Sequence, residues 1–136
     1  MMNIKEAILS LMYNFLSHVY RHGQWVKYHN LLNNFKSIGS DSQFDFTEYE
    51  VNHPECIEIG THCSFGKGAR LLCLTEYREQ VFTPCLKIGN YVSINNDCQI
   101  ACIDNVSIGN NVLVAARVFI TDHFHGQIVR DDTPPQ

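Results

Sequence analysis

The sequence predicts a mainly β chain of stacked three-stranded coils preceded by an N-terminal α-helical cap. Three observations predict it. A helical apolar period is confined to residues 3–38; an apolar period of six runs from residue 57 onward; and glycine, asparagine or aspartate crowd the intervals of that second period. Residues 1–40 are accordingly a helical segment and residues 41–136 the β domain.

In the helical segment Ile4, Ile8, Leu11, Met12, Phe15, Leu16 and Val19 are expected to share one stripe, with Lys5, Glu6, Ser10, Asn14 and Ser17 opposite. Gly23 predicts a stop. A second helix then carries Trp25, Tyr28, Leu31, Leu32 and Phe35 before Gly39. The stripe favours a cap over the open end of the coils. The other reading is peripheral contact with an anionic membrane, since residues 1–40 carry a net +3 and the remainder −7.

The hexads come in three series: Ile59, Phe65, Leu71; Ile88, Ile94, Ile100; and Ile108, Val114, Ile120. Four residues after many of these stands a smaller apolar residue, as at Cys63, Ala69, Val92, Cys98, Val112 and Val118. Neither a helix nor an isolated strand produces that spacing. Three short strands closed by tight turns do, and about eighteen residues then make one triangular coil that stacks on the next as parallel β-sheet. Position one fills the interior and position five sits near a corner, so it stays small. Asparagine and glycine at the turns tolerate positive φ. Cys63 and Cys98 are then core-filling thiols, and no tight ligand spacing assigns the six cysteines to a metal.

Composition excludes other classes. A net charge of −4 argues against nucleic acid as a partner. No uninterrupted apolar run reaches membrane-spanning length, and the first residues lack a clear secretory signal, so the expected compartment is cytoplasmic with reduced thiols.

"IEIGTHCSFGKGARL", "LKIGNYVSINNDCQI" and "VSIGNNVLVAARVFI" resemble the hexapeptide repeat of the left-handed β-helix acyltransferases. The relatives meant are sugar O-acetyltransferases of the galactoside or maltose type and of the polysaccharide-biosynthesis type. The resemblance covers about residues 50–135 and implies the left hand of the coil, a homotrimer, acetyl-CoA as acyl donor, a sugar or saccharide acceptor, and no metal. It also implies further coils after Gln136. Two interruptions of the metre stand out: an insertion over 72–85, expected to be a surface loop, and eight residues instead of six between Ile100 and Ile108, expected to bulge at Ala101–Asn105.

Acetyl transfer to a hydroxyl needs a base with a pKa near working pH, which favours histidine. "TDHFH" follows Ile120 at a coil corner. The resemblance assigns His123 as the catalytic base, His125 as a less critical loop position, and Asn95 in "SINND" to the acceptor. Where the galactoside and maltose enzymes carry a pair of acids for the acceptor, this chain has Cys102 and Ile103, and Asp104 or Asp122 is the substitute. Two other readings stand beside this one. The first is a non-catalytic assembly module that retains the scaffold. The second is a zinc-dependent, carbonic-anhydrase-like hydratase, which would need histidines on successive coils; His53 and His62 are not spaced for that.

Overall fold

A computed structural model describes residues 3–45 and 47–124. The chain divides into two compact units, Met1–Asn33 and Asn34–Gln136. The first is one helix, α1 (Ile4–Leu32). Its N-terminus is closed by a capping box: the Asn3 side chain accepts from the Glu6 N–H (2.9 Å), and the Glu6 carboxylate accepts from the Asn3 N–H (3.1 Å). The expected stop at Gly23 is not observed. A glycine costs a helix interior about 1 kcal/mol, and the good helix formers on either side of it carry α1 through. Ile4, Leu11 and Phe15 of the apolar stripe stand exposed.

Among the described residues the second unit is a parallel β-helix of four coils. The first comprises β1 (Ser37–Ile38), β2 (Gln43–Phe44) and β3 (Tyr49–Asn52); the second β4 (Ile57–Ile59), β5 (Ser64–Phe65) and β6 (Ala69–Cys73). The insertion follows as an antiparallel hairpin, β7 (Glu76–Tyr77) and β8 (Gln80–Val81). The third coil is β9 (Cys85–Ile88), β10 (Ser93–Ile94) and β11 (Gln99–Cys102); the fourth is β12 (Asn105–Ile108), β13 (Leu113–Val114) and β14 (Phe119–Thr121). Each face is one parallel sheet, ordered β1-β4-β9-β12, β2-β5-β10-β13 and β3-β6-β11-β14. The arrangement is consistent with the left-handed form, and among the described residues no sheet closes into a barrel.

The register explains the hexad. Phe65 pairs Ile94, which pairs Val114; Leu71 pairs Ile100, which pairs Ile120. Identical positions therefore stack, and each column of apolar side chains fills the prism. Ile57, Leu71, Leu86, Ile94 and Ile100 are fully buried, each worth about 1.5–3 kcal/mol of burial. Position five is equally enclosed at Cys63, Ala69, Val92 and Cys98. The two thiols also satisfy carbonyls of the next coil, Cys63 Sγ donating to Gly89 O (3.0 Å) and Cys98 Sγ to Ala115 O (2.9 Å).

Corners stack as the faces do. Asp41, His62, Tyr91 and Asn111 all take φ near +57° at one corner, and Asp97 and Arg117 do so at the next. At the first corner the His62 and Tyr91 rings stack 4.9 Å apart, which accounts for His62 structurally. A first coil at 37–52 was not anticipated by the hexads; Phe44 ties it in by stacking on Phe65 (4.1 Å) and Phe35 (5.8 Å).

Candidate active site

The eight-residue interval between Ile100 and Ile108 puts a bend at Ile103–Asp104, between β11 and β12. A regular corner hands its N–H groups to the neighbouring coil's carbonyls or, one at a time, to an asparagine Oδ1. This bend instead turns three successive N–H groups toward one carboxylate. Asp122 accepts from the backbone of Ile103 (3.0 Å), Asp104 (2.9 Å) and Asn105 (2.9 Å). Register explains the meeting: Ala101 pairs Thr121, so Asp122 follows directly over Cys102, whose Sγ lies 3.5 Å from Asp122 Oδ2.

Partial burial alone would raise the Asp122 carboxyl. The bonds from His123, from the Asp104 and Ile103 N–H groups and from Cys102 outweigh it and hold the pKa at about 2. Asp122 is therefore an anion at any physiological pH. His123 stands beside it with its side chain only 5% exposed, and Nδ1 lies 3.1 Å from Asp122 Oδ1 and 2.9 Å from Thr121 Oγ1. An ionised carboxylate can only accept, so its contact with Nδ1 assigns the proton to Nδ1 and leaves the basic lone pair on Nε2. That tautomer is inferred from the partners.

Cys102 is itself packed against a second thiol. Cys73 and Cys102 are register partners on β6 and β11, and both are fully buried. The hydrogen bond with Cys102, and then burial, push the Cys73 thiol well above the usual range, which keeps it protonated and inert. Among the described residues no group of three or more His, Cys, Asp or Glu could hold a metal ion.

Of the sequence-selected residues, His123, Asp122 and the backbone of Asp104 come together. Asp104 contributes its N–H, and its carbonyl accepts from Cys85 N (2.8 Å); its side chain is not the acid that meets His123. Asp122, selected for the acceptor, is turned instead onto the bend and the imidazole. Asn95 is elsewhere. It lies at the corner between β10 and β11, its Oδ1 accepting from Asn96 N–H (2.8 Å), and it lines a groove of about 610 Å³ with Gln43, Ser64, Lys67, Ser93 and Asn96. The length of β11, roughly 13 Å, separates that corner from the one that carries His123. His125 lies outside the described residues. Thr121 was missed, as was the row of N–H groups at 103–105. The interval of eight flagged that row, but nothing in the sequence aimed it at Asp122.

No family model matches the chain, and no solved structure does. A curated protein of Escherichia coli strain K12, named "Putative lipopolysaccharide biosynthesis O-acetyl transferase WbbJ", is 46% identical over 82 residues. That alignment takes in 60% of this chain but 38% of the relative's length, so the chain spans well under half of the relative it matches.

Proposed function

We propose that the chain belongs to an O-acetyltransferase that moves an acetyl group from acetyl-CoA to a hydroxyl of a saccharide, with His123 as the general base. One observation carries the reading: the Asp122–His123 pair, held at the irregular corner between β11 and β12 and oriented with Nε2 as the basic nitrogen. The similarity to a protein named as a lipopolysaccharide O-acetyltransferase supports the same chemistry at a coarser level.

The steps balance without a covalent enzyme intermediate. His123 Nε2 takes the acceptor's hydroxyl proton as its oxygen attacks the thioester carbonyl, and a C–O bond forms. The tetrahedral oxyanion collapses, the C–S bond breaks, and the leaving thiolate takes the proton back from the imidazolium. Asp122 acts through His123: its fixed negative charge steadies the imidazolium and holds the tautomer. It is a positioning residue. Asn95 serves the acceptor from the other corner. A homotrimer, the assembly implied by the repeat, is an arrangement in which one copy's Asn95 corner can oppose the next copy's His123 corner.

The test is thiol release from acetyl-CoA in the presence of a saccharide acceptor, with the gene product as the cell makes it. His123→Ala is expected to bring transfer to background with the assembly intact, and His125→Ala to cost less. Undiminished turnover in His123→Ala refutes the assignment. A wild type that neither transfers nor binds acetyl-CoA favours the assembly-module reading instead.

A further inference from the structure

We propose that α1 lays its apolar face on an anionic lipid surface. At about 100° per residue, Leu11, Ile4, Phe15, Ile8, Val19 and Met12 follow one another around the helix, and with Leu16, Leu9 and the edge tyrosines Tyr20 and Tyr13 the apolar arc of the first five turns spans roughly 200°. These side chains are exposed, Ile4 at 80%, Leu11 at 70% and Phe15 at 68%. No helix among the described residues is long and apolar enough to cross a membrane. An amphipathic helix of this kind lies in the interface, with tyrosines at the rim of the apolar arc where ring and hydroxyl meet different media.

Charge selects the occupant. Residues 1–33 carry a net +2 and residues 34–136 a net −6, so the helix is the part an anionic surface attracts. Lys5 falls inside the apolar arc, between Met12 and Leu16, and Lys27 falls on the same side three turns or more further along. At a lipid surface their stems lie along the acyl boundary and the ammonium groups reach phosphate. A second copy of α1 on this face would bury Lys5 in an apolar seam, and the helix's one acid, Glu6, lies outside the arc. The arc is also far wider than a two-helix seam, which uses two positions in seven. A consequence that rests on the acetyltransferase reading is that the acceptor is an amphiphilic saccharide carried on that surface; the docking itself does not depend on it.

Flotation of the full chain with phosphatidylcholine vesicles, with and without phosphatidylglycerol, tests the docking without any turnover. The chain is expected to float with the anionic vesicles at low salt and to be released as salt rises. Leu11→Gln/Phe15→Gln should lose about 100-fold or more in partitioning. Ser10→Gln/Ser17→Gln, on the polar arc, should lose less than about threefold. Lys5→Gln/Arg21→Gln/Lys27→Gln should lose about 100-fold, near fivefold for each cation. Failure to float, or undiminished flotation of the Leu11/Phe15 variant, overturns the proposal. So does an oligomer that the Leu11/Phe15 variant dissolves, found with no vesicle binding; that outcome assigns the face to a second copy.

Discussion

Replacing Asp122 by asparagine tests the site with the fewest assumptions, because its consequences can be worked out from the geometry. The carboxylate presents two acceptor oxygens. Oδ1 takes the Ile103 N–H and His123 Nδ1–H; Oδ2 takes the Asp104 and Asn105 N–H groups and faces Cys102 Sγ. An amide has one acceptor oxygen: at the Oδ1 place it leaves the Asp104 and Asn105 N–H groups facing an NH₂, and at the Oδ2 place it leaves His123 Nδ1–H so, the Ile103 N–H reaching either oxygen (3.0 and 3.3 Å). Each buried orphan donor costs about 1–3 kcal/mol, reduced here because Asp104 and Asn105 are exposed to water. A second route gives the same size. Lowering the carboxyl from the ordinary 3.8 to about 2 corresponds to about 2–3 kcal/mol favouring the ionised folded form. The sign follows. A group whose folded pKa is depressed contributes its stability above the unfolded value, and that contribution is lost as pH falls from about 4 to about 2. Urea unfolding at pH 7 should therefore show Asp122→Asn about 2–3 kcal/mol less stable, a midpoint shift of about 1–2 M. The gap between wild type and variant should close toward pH 2. Transfer by the variant is expected to fall roughly 10²–10⁴-fold, since an amide no longer dictates which imidazole nitrogen holds the proton. A variant within about 0.5 kcal/mol of wild type at pH 7, or a gap that persists at pH 2, refutes the structural reasoning.

Two further substitutions probe the scaffold. Gly60→Ala places a Cβ 2.6 Å from the Gly89 carbonyl and 2.5 Å from Asn90 Oδ1, so coils two and three must part; calorimetry should show a loss of about 1–3 kcal/mol or more. Gly23→Ala meets nothing within 4 Å inside α1, and circular dichroism on heating should show the helix strengthened by about 1 kcal/mol.

The three hexad series were legible because stacking repeats one physical demand. Every sixth residue must fill the interior from the next face, and a full coil later the same column is filled again, as Leu71, Ile100 and Ile120 do in register. The first coil was hidden because it breaks that spacing. Phe44 pairs Phe65 and Val51 pairs Leu71, seven residues apart rather than six, with the exposed Glu50 between them. Its ladder bonds are as regular as the others, but a backbone bond leaves no mark on side-chain type. Gly23 misled for a related reason: a glycine names a permissible stop, and the residues around it decide whether the helix takes it. At the candidate site the sequence offers His123 and Asp122 as neighbours but not the contact between them. An aspartate next to a histidine in sequence shows nothing about which way its carboxylate points. That direction came from the coil below, through the pairing of Ala101 with Thr121.

The same fact explains why the Asp122–His123 pair sits at this corner. At a regular corner most N–H groups go to carbonyls of the neighbouring coil, as Gly60 N to Ile88 O, Gly66 N to Ile94 O and Gly89 N to Ile108 O, and single ones go to a neutral side-chain oxygen, as Thr61 N to Asn90 Oδ1 and Lys67 N to Asn96 Oδ1. Such a corner offers a side chain one N–H at a time, enough for a neutral amide oxygen. The two extra residues before Ile108 take Ile103, Asp104 and Asn105 out of that pattern and leave three adjacent N–H groups in need of an acceptor. Asp122 arrives from the next coil as that acceptor, which is why it can be nearly buried and still ionised. Its remaining lone pair then orients the imidazole. The departure from the hexad is thus what makes a fixed charge affordable beside His123, and restoring six residues between Ile100 and Ile108 would remove the donors and the orientation together.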